Sequence, residues 1–218
     1  MKVTIASVTI IAIFAVAALG TASASAAECP GTGEGVVLCS GGHVLEGTIP
    51  FTGKATPSEH RFEVAGVLTV GCEKFTSKGQ FLATNASVNI SQEYIEWSGC
   101  KLLGHSACKV KPLTFGVGSG LHGVVGLVGT LAETTVAAAE SRLPVAQLSI
   151  TGCEQEYEGR VTGTQKCELP NATSEATKHG LSCLAQGSEL KVNGRAATLT
   201  DGEEIALSGG QAFSLQRA

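Results

Sequence analysis

The fold of this chain is decided by the stretch GSELKVNGRAATLTDGEEIALSGGQAFSL, which runs from Gly187 to Leu215. It contains three hairpin-type dipeptides, Asn193-Gly194, Asp201-Gly202 and Gly209-Gly210, each eight residues after the one before. Asn-Gly and Asp-Gly supply the positive φ angles that tight turns require, and the segments between them are short and alternate apolar with polar residues. The stretch therefore predicts a meander of short antiparallel strands.

The apolar alternation also predicts the register of this meander, because a one-residue slip moves every side chain to the other face. A two-residue loop at Asn193-Gly194 pairs Val192 with Arg195. Three-residue loops that end in Gly202 and Gly210, both at positive φ, keep the later apolar residues on the same face. The predicted core wall consists of Leu190, Val192, Ala197, Leu199, Ile205, Leu207, Phe213 and Leu215.

Upstream of the meander the apolar residues follow a period of two, which is typical of strands. Seven apolar residues of one stretch fall on odd positions: Leu113, Phe115, Val117, Leu121, Val125, Leu127 and Leu131. Glu133–Leu143 is compatible with a helix, through its alanines, or with a strand, through Thr134-Thr135-Val136. We predict an all-β fold, a disulfide-braced antiparallel β-sandwich or barrel-like domain over residues 58–218. Residues 28–57 are predicted to form a loosely structured, glycine-rich lead-in.

The N-terminus has the pattern of a secretory signal peptide over residues 1–27. Lys2 is followed by an apolar run from Ile5 to Leu19 and then by the small residues Ala22–Ala27. Cleavage is expected after Ala24, Ala26 or Ala27, which predicts an exported protein, secreted or held in the cell envelope, without a transmembrane anchor in the mature chain. The net charge of the full chain is −4. This balance gives no basic footprint for nucleic acid and no polybasic patch for an anionic membrane.

Eight cysteines lie downstream of the predicted signal peptide, and in an oxidising compartment an even number favours complete pairing. The eight are Cys29, Cys39, Cys72, Cys100, Cys108, Cys153, Cys167 and Cys183. Closeness in sequence favours Cys100–Cys108 first, then Cys29–Cys39 and Cys167–Cys183, which leaves Cys72–Cys153 as a long-range pair. The absence of a Cys-x-x-Cys motif argues against a thioredoxin-type redox site.

One segment carries a family resemblance. Ile95-Glu96-Trp97-Ser98-Gly99-Cys100, followed by Cys108 and Val110 and preceded by Val70-Gly71-Cys72, resembles a pattern found in families of exported actinobacterial proteins of unknown function. The resemblance covers residues 60 to 215 loosely. It implies an exported, cysteine-braced β domain and transfers no activity and no functional residue.

Two motifs contain metal-ligand types. Cys100-x4-His105-x2-Cys108 and Cys39-x3-His43 have nitrogen and sulfur donors of the kind that zinc binds, but export favours disulfides for these cysteines. Glu154, Glu156 and Glu158 alternate, so on a strand their carboxylates share one face. Such a row suits Ca²⁺ or the acid and base of a glycosidase, although the solvated side of a half-buried strand has the same pattern.

Other motifs are interpreted as turns or as unspecific. Leu207–Gln211 spells the signature pentapeptide of ABC-transporter ATPases, but the chain lacks a phosphate-binding Gly-x-x-x-x-Gly-Lys-Ser/Thr motif, so a turn is predicted there. Gly31–Gly35 is predicted to be a loop. The five histidines lie in no recognisable nucleophile context: His43, His60, His105, His122 and His179. The sequence therefore predicts no catalytic residue, cofactor or metal.

Two functions remain open from the sequence. The favoured one is a non-catalytic protein of the cell surface or envelope with a binding or structural role and an unknown partner. The alternative is a secreted hydrolase that depends on a metal ion or on the carboxylates near Glu156. A concave pocket with convergent polar side chains favours the enzyme.

Overall fold

The computed structural model describes residues 28–29, 31, 33–56, 60–116, 120–140 and 143–218, so the predicted signal peptide lies outside the described residues. The described part consists of strands, turns and bends and contains no helix. Its strands, in chain order, are β1 (Val36–Ser40), β2 (His43–Leu45), β3 (Gly47–Ala55), β4 (His60–Val64), β5 (Leu68–Cys72), β6 (Lys74–Ala83), β7 (Val88–Ser98), β8 (Lys101–Leu102), β9 (Lys109–Val110), β10 (Leu113–Phe115), β11 (Leu121–Val128), β12 (Leu131–Ala138), β13 (Ala146–Thr151), β14 (Tyr157–Thr162), β15 (Thr164–Leu169), β16 (His179–Leu184), β17 (Leu190–Val192), β18 (Arg195–Leu207) and β19 (Ser214–Arg217).

Sixteen of these strands form one antiparallel sheet that closes on itself. Grouped by the strands that they pair with, these sixteen form eight successive sets: β3 with β4, β5 with β6, β7 with β8, β9 with β10 and β11, β12 with β13, β14 with β15, β16 with β17, and β18 alone. Each is paired with the next along the chain, and β18 returns to pair with β3 and β4. The result is an up-and-down barrel, whose interior at this strand number is filled by side chains. The predicted fold class is confirmed.

Three further strands cover one end of the barrel, here called the capped end. β1 lies between β19 and β2, so the beginning of the described chain pairs with its C-terminus. The Arg217 guanidinium donates to the carbonyl of Leu127 at 2.9 Å, and the Phe213 ring lies 5.9 Å from Phe81 in the interior. The opposite end, here called the open end, carries the connections at residues 65–67, 103–108, 152–156 and 193–194.

The first hairpin of the predicted meander forms in the expected register. Val192 pairs with Arg195 and Leu190 with Ala197, and both Asn193 (φ 50°) and Gly194 (φ 83°) are left-handed, as a tight hairpin turn requires. All eight residues of the predicted core wall are buried. The alternation therefore identified the inward face of β17 and β18 correctly, but Phe213 and Leu215 are buried at the capped end, outside the sixteen-stranded sheet.

The other two predicted hairpins are absent. β18 runs unbroken from Arg195 to Leu207, and Gly202 is not among the glycines with positive φ, so the expected turn there is wrong. Gly210 does have positive φ (72°), but the following β19 pairs with β1 instead of β18. The physical reason is that β18 has hydrogen-bonding partners along both edges: β17 and β16 on one side, β4 and β3 on the other.

The structure contradicts the prediction for one further segment and decides between the two alternatives for another. The expectation of a loosely structured lead-in over residues 28–57 is wrong, because β1 is buried and β3 is part of the closed sheet. The ambiguous segment Glu133–Leu143 contains the end of a strand, since β12 extends to Ala138 between β11 and β15.

All eight cysteines are paired, as expected, but two of the four disulfides differ from the prediction. Cys29–Cys39 and Cys167–Cys183 are confirmed, whereas the structure has Cys72–Cys100 and Cys108–Cys153 in place of Cys100–Cys108 and Cys72–Cys153. The cause is the strand pairing. β5 pairs with β8 and β9 with β13, so the connection between Cys100 and Cys108 leads from one part of the sheet to another.

Candidate functional site

The interior of the barrel contains a group of polar side chains that follows directly from the unbroken β18. Odd-numbered residues of this strand face inward, as Leu199 and Ile205 do, and the alternation continues through Asp201 and Glu203. Both carboxyl groups are therefore inside the barrel. Asp201 is 7 % exposed and Glu203 is 2 % exposed.

Asp201 is hydrogen-bonded to a buried histidine. Nδ1 of His60, at the start of β4, donates to Asp201 Oδ1 at 2.5 Å. The imidazole lies between aromatic rings, with its centroid 5.7 Å from Phe75 and 5.8 Å from Trp97. A His–Asp pair of this kind is the base and orienting half of a catalytic triad, but here His60 is 2 % exposed and enclosed by aromatic side chains.

Glu203 is bonded to a hydroxyl two strands away. Ser77 Oγ on β6 donates to Glu203 Oε2 at 2.6 Å. Between β18 and β6 lies β3, which contributes Gly53 at this level, and a Cβ on Gly53 would lie 1.9 Å from Glu203 Oε2. Glycine thus leaves the space that the carboxyl group occupies. Burial raises the pKa of Glu203 to about 8; the Ser77 hydrogen bond opposes this rise, and the charge of Asp201 adds to it.

A small interior cavity lies beside this group, lined by Asp201, Trp97 and Gln165 among mostly apolar side chains. The centre of a water molecule can occupy about 20 Å³ of this cavity, so the cavity has room for about one water. Trp97 Nε1 and Gln165 Oε1 are buried and without a hydrogen-bond partner among the described residues. A water-sized molecule that accepts from the indole and donates to the amide oxygen suits this cavity.

A concave surface lies at the open end and is here called the open-end groove. Its volume is about 690 Å³, and it continues into a neighbouring hollow of about 350 Å³ with which it shares Val67, Leu68, Leu102 and His105. Its wall includes the Cys108–Cys153 disulfide, and Cys72–Cys100 joins the ends of the nearby β5 and β8. Loops tied by covalent links form a preorganised surface.

The open-end groove combines apolar and acidic groups. Val67 and Leu103 are two of the four large apolar side chains that are exposed among the described residues, and both line it or its neighbouring hollow. Glu154 and Glu156 line the groove, and no lysine or arginine is among its lining residues. Glu63 lines the hollow and is paired with Arg61 at 3.8 Å. Exposed apolar side chains that cluster in a concavity are typical of an interaction site.

The structure separates the residues that the sequence singled out. Every cysteine of the two zinc-like motifs is in a disulfide, so the zinc interpretation is wrong, and no group of three or more His, Cys, Asp and Glu suited to a metal occurs in the described part. Glu154 and Glu156 lie on an exposed bend before β14 and not on a strand. The pentapeptide Leu207–Gln211 includes a turn, as predicted.

Sequence reasoning missed the interior polar group. His60 and Asp201 are 141 residues apart, and Ser77 and Glu203 are 126 apart, so no local motif connects them. One signal was present: the odd-numbered apolar series of the C-terminal stretch continues on both sides of Asp201 and Glu203. An unbroken strand places both residues on the inward face.

No protein-family model matches the sequence, and no curated protein or solved structure matches it significantly. Among the described residues, no helix has both the length and the apolar character needed to cross a membrane.

Proposed function

We propose that this chain is an exported, non-catalytic protein that binds a partner through the open-end groove. The observation that carries the proposal is that exposed Val67, Glu154 and Glu156 line the groove beside the Cys108–Cys153 disulfide, and that exposed Leu103 lines the adjoining hollow. Four disulfides agree with an oxidising compartment outside the cytoplasm. The signal-peptide pattern of residues 1–27 supports export, and an exported actinobacterial relationship stays a prediction.

The chemistry of the groove selects the partner. Apolar side chains provide burial, and carboxylates without lysine or arginine neighbours in the lining attract positive charge and repel acidic surfaces. The partner is therefore a basic, partly apolar polypeptide segment. A hydrolase remains the alternative prediction, but His60 and Asp201 are both buried, with the rings of Phe75 and Trp97 beside the imidazole, so a substrate in solution does not reach this His–Asp pair.

The test uses two short synthetic probe peptides with blocked ends, one alternating lysine with leucine and one alternating glutamate with leucine. We expect the lysine peptide to shift the amide resonances of residues 63–69, 102–107 and 152–157, and the glutamate peptide to leave them unchanged. Glu154→Gln/Glu156→Gln should weaken lysine-peptide binding about tenfold, since each surface charge contributes up to about 1 kcal/mol. The matched control is Glu93→Gln/Glu96→Gln, which changes two exposed glutamates of β7.

Binding of the lysine peptide elsewhere on the surface, or equal affinity for both double variants, contradicts the proposal. Turnover of a peptide or glycoside substrate by the wild-type protein, abolished in Glu154→Gln/Glu156→Gln, favours the hydrolase instead.

A further inference from the structure

The position of Glu203 in β18 is the point where the barrel changes its strand pairing. Toward its N-terminus β18 pairs with β17 and β4, and toward its C-terminus it pairs with β16 and β3. Glu203 is the first β18 residue paired with β3, opposite Ala55. From Glu203 to Leu207, the barrel is closed on the side of the capped end by the pairing of β18 with β3.

The Glu203 side chain spans three neighbouring strands on the inside of this closure. It starts on β18, passes over Gly53 on β3 and accepts the hydrogen bond of Ser77 on β6. Gly53 pairs with Ile205 on β18 and with Ser77 on β6. The hydrogen bond between Ser77 and Glu203 therefore crosses β3 at the position of Gly53. We call Glu203, Gly53 and Ser77 the interior latch.

The environment of the interior latch favours a neutral carboxyl group. Ser77 donates the one side-chain hydrogen bond that Glu203 accepts within the described chain, whereas an ionised carboxylate has room for about four. An ionised group that is buried with so few donors is costly. Burial is the main reason why the pKa of Glu203 is raised to about 8.

The other titratable groups that face the interior from neighbouring elements are few. They are Asp201 on the same strand, His60 on β4 and His179 on β16, while the lysines of β3, β6 and β17 point outward. His60 is bonded to Asp201, and His179 Nε2 donates to the Phe213 carbonyl at 2.8 Å, so neither histidine neutralises Glu203.

We propose that the interior latch is a proton-controlled device: the uncharged Glu203 holds β18, β3 and β6 together, and loss of its proton loosens the closure of the barrel between β18 and β3. The device is independent of the open-end groove.

The direction of the pH dependence follows from the raised pKa. Below pH 4.5, the ordinary value, the folded and unfolded states both carry the proton, and the contribution of the latch is complete. As the pH rises from 4.5 toward 8, the unfolded chain releases a proton that the folded chain keeps, so folding becomes less favourable. Above about pH 8 the folded protein is ionised at Glu203 and the loss is complete.

The experiment has two parts. A carbon-13 titration of the wild-type side-chain carboxyl groups should show one glutamate with a midpoint near pH 8. Hydrogen exchange followed by mass spectrometry should show that the protection of residues 47–55 and 201–207 falls as the pH rises from 4.5 to 8. The decrease should not exceed about tenfold per pH unit, because one proton is released. In Glu203→Gln, which keeps the shape without the charge, protection should not depend on pH in this way.

The matched control is Glu204→Gln on the same strand, whose partly exposed carboxylate pairs with Lys178 at 2.7 Å. It should keep the wild-type pH dependence. Ser77→Ala should move the Glu203 midpoint upward, because the hydroxyl stabilises the charged form. A wild-type midpoint near 4.5, or an unchanged pH dependence in Glu203→Gln, overturns the proposal; if that variant does not fold, the wild-type titration and Ser77→Ala decide.

Discussion

At the scale of single residues, Gly53 leaves the space that two interior polar side chains occupy. Gly53 has ordinary strand backbone, so its role is space and not conformational freedom. A Cβ at this position would lie 1.9 Å from Glu203 Oε2 and 2.2 Å from Ser77 Oγ. Both residues are buried and hydrogen-bonded to each other, so a Cβ at position 53 requires these two polar groups to move apart inside the barrel.

Gly53→Ala is therefore expected to destabilise the protein by about 2–4 kcal/mol, which combines overpacking with the loss of a buried hydrogen bond. The measurement is the free energy of unfolding in denaturant at pH 6. Gly180→Ala on β16 is the control, since a Cβ there meets no atom within 4 Å, and it should change the free energy by less than about 0.5 kcal/mol. Equal effects of the two substitutions contradict the packing account.

Asp201-Gly202 shows how a residue-level signal is overridden. The dipeptide has the composition of a hairpin turn, yet both residues are buried within a strand. A turn at this point would leave the edges of β16 and β3 without the partners that β18 gives them. Their backbone hydrogen bonds outweigh a local turn preference.

At the scale of elements, three of the disulfides join strands that are paired with each other. Cys72–Cys100 extends the β5–β8 pairing by one residue, and Cys167 is directly opposite Cys183 in the β15–β16 register. Cys108–Cys153 similarly joins the ends of β9 and β13. Peptide mapping without reductant should recover these three links, and recovery of a Cys100–Cys108 link contradicts the strand pairing described here.

The disulfides that close the longest and the shortest loops should differ in their contribution to the free energy of unfolding. Cys108–Cys153 closes a loop with a sequence separation of 45, against 10 for Cys29–Cys39. The chain-entropy estimate gives about 4 kcal/mol for the longer loop and about 3 kcal/mol for the shorter one. Replacing each pair by alanines and measuring the free energy of unfolding tests this order. A larger loss from the Cys29 and Cys39 replacement contradicts it.

At the scale of the whole molecule, closure gives β18 a special position. It is bonded along both edges over its length, whereas β8 pairs with β5 alone and β9 with β13 alone among the described strands. The capped end is covered by β1 and β19, and the open end carries the groove.

Amide hydrogen exchange should reflect this arrangement. The slowest amides are expected in β18 and the fastest amides of the sixteen-stranded sheet in β8 and β9, because β8 and β9 are each paired along one edge, whereas global opening is required to break both edges of β18. The measurement is native-state exchange by NMR at pH 6, where Glu203 keeps its proton. Exchange of β18 amides at the rate of β8 amides contradicts the closed pairing.

The sequence by itself determined what depends on neighbouring residues. The period of two predicted strands and an antiparallel all-β fold, and Asn193-Gly194 predicted its hairpin, because turn chemistry acts within four residues. The same alternation identified the buried face of the C-terminal stretch from Leu190 to Leu215. Closeness along the chain predicted Cys29–Cys39 and Cys167–Cys183, but it also predicted Cys100–Cys108, which is wrong.

Only the tertiary structure decided the pairings between distant parts of the chain. It continued β18 through Asp201-Gly202, exchanged the partners of Cys100 and Cys108, and brought Ser77 to Glu203 across 126 residues. The open-end groove likewise joins loops from separate hairpins. These outcomes depend on which strand edges remain to be satisfied when the sheet closes, and that condition belongs to the whole barrel and to no local pattern of residues.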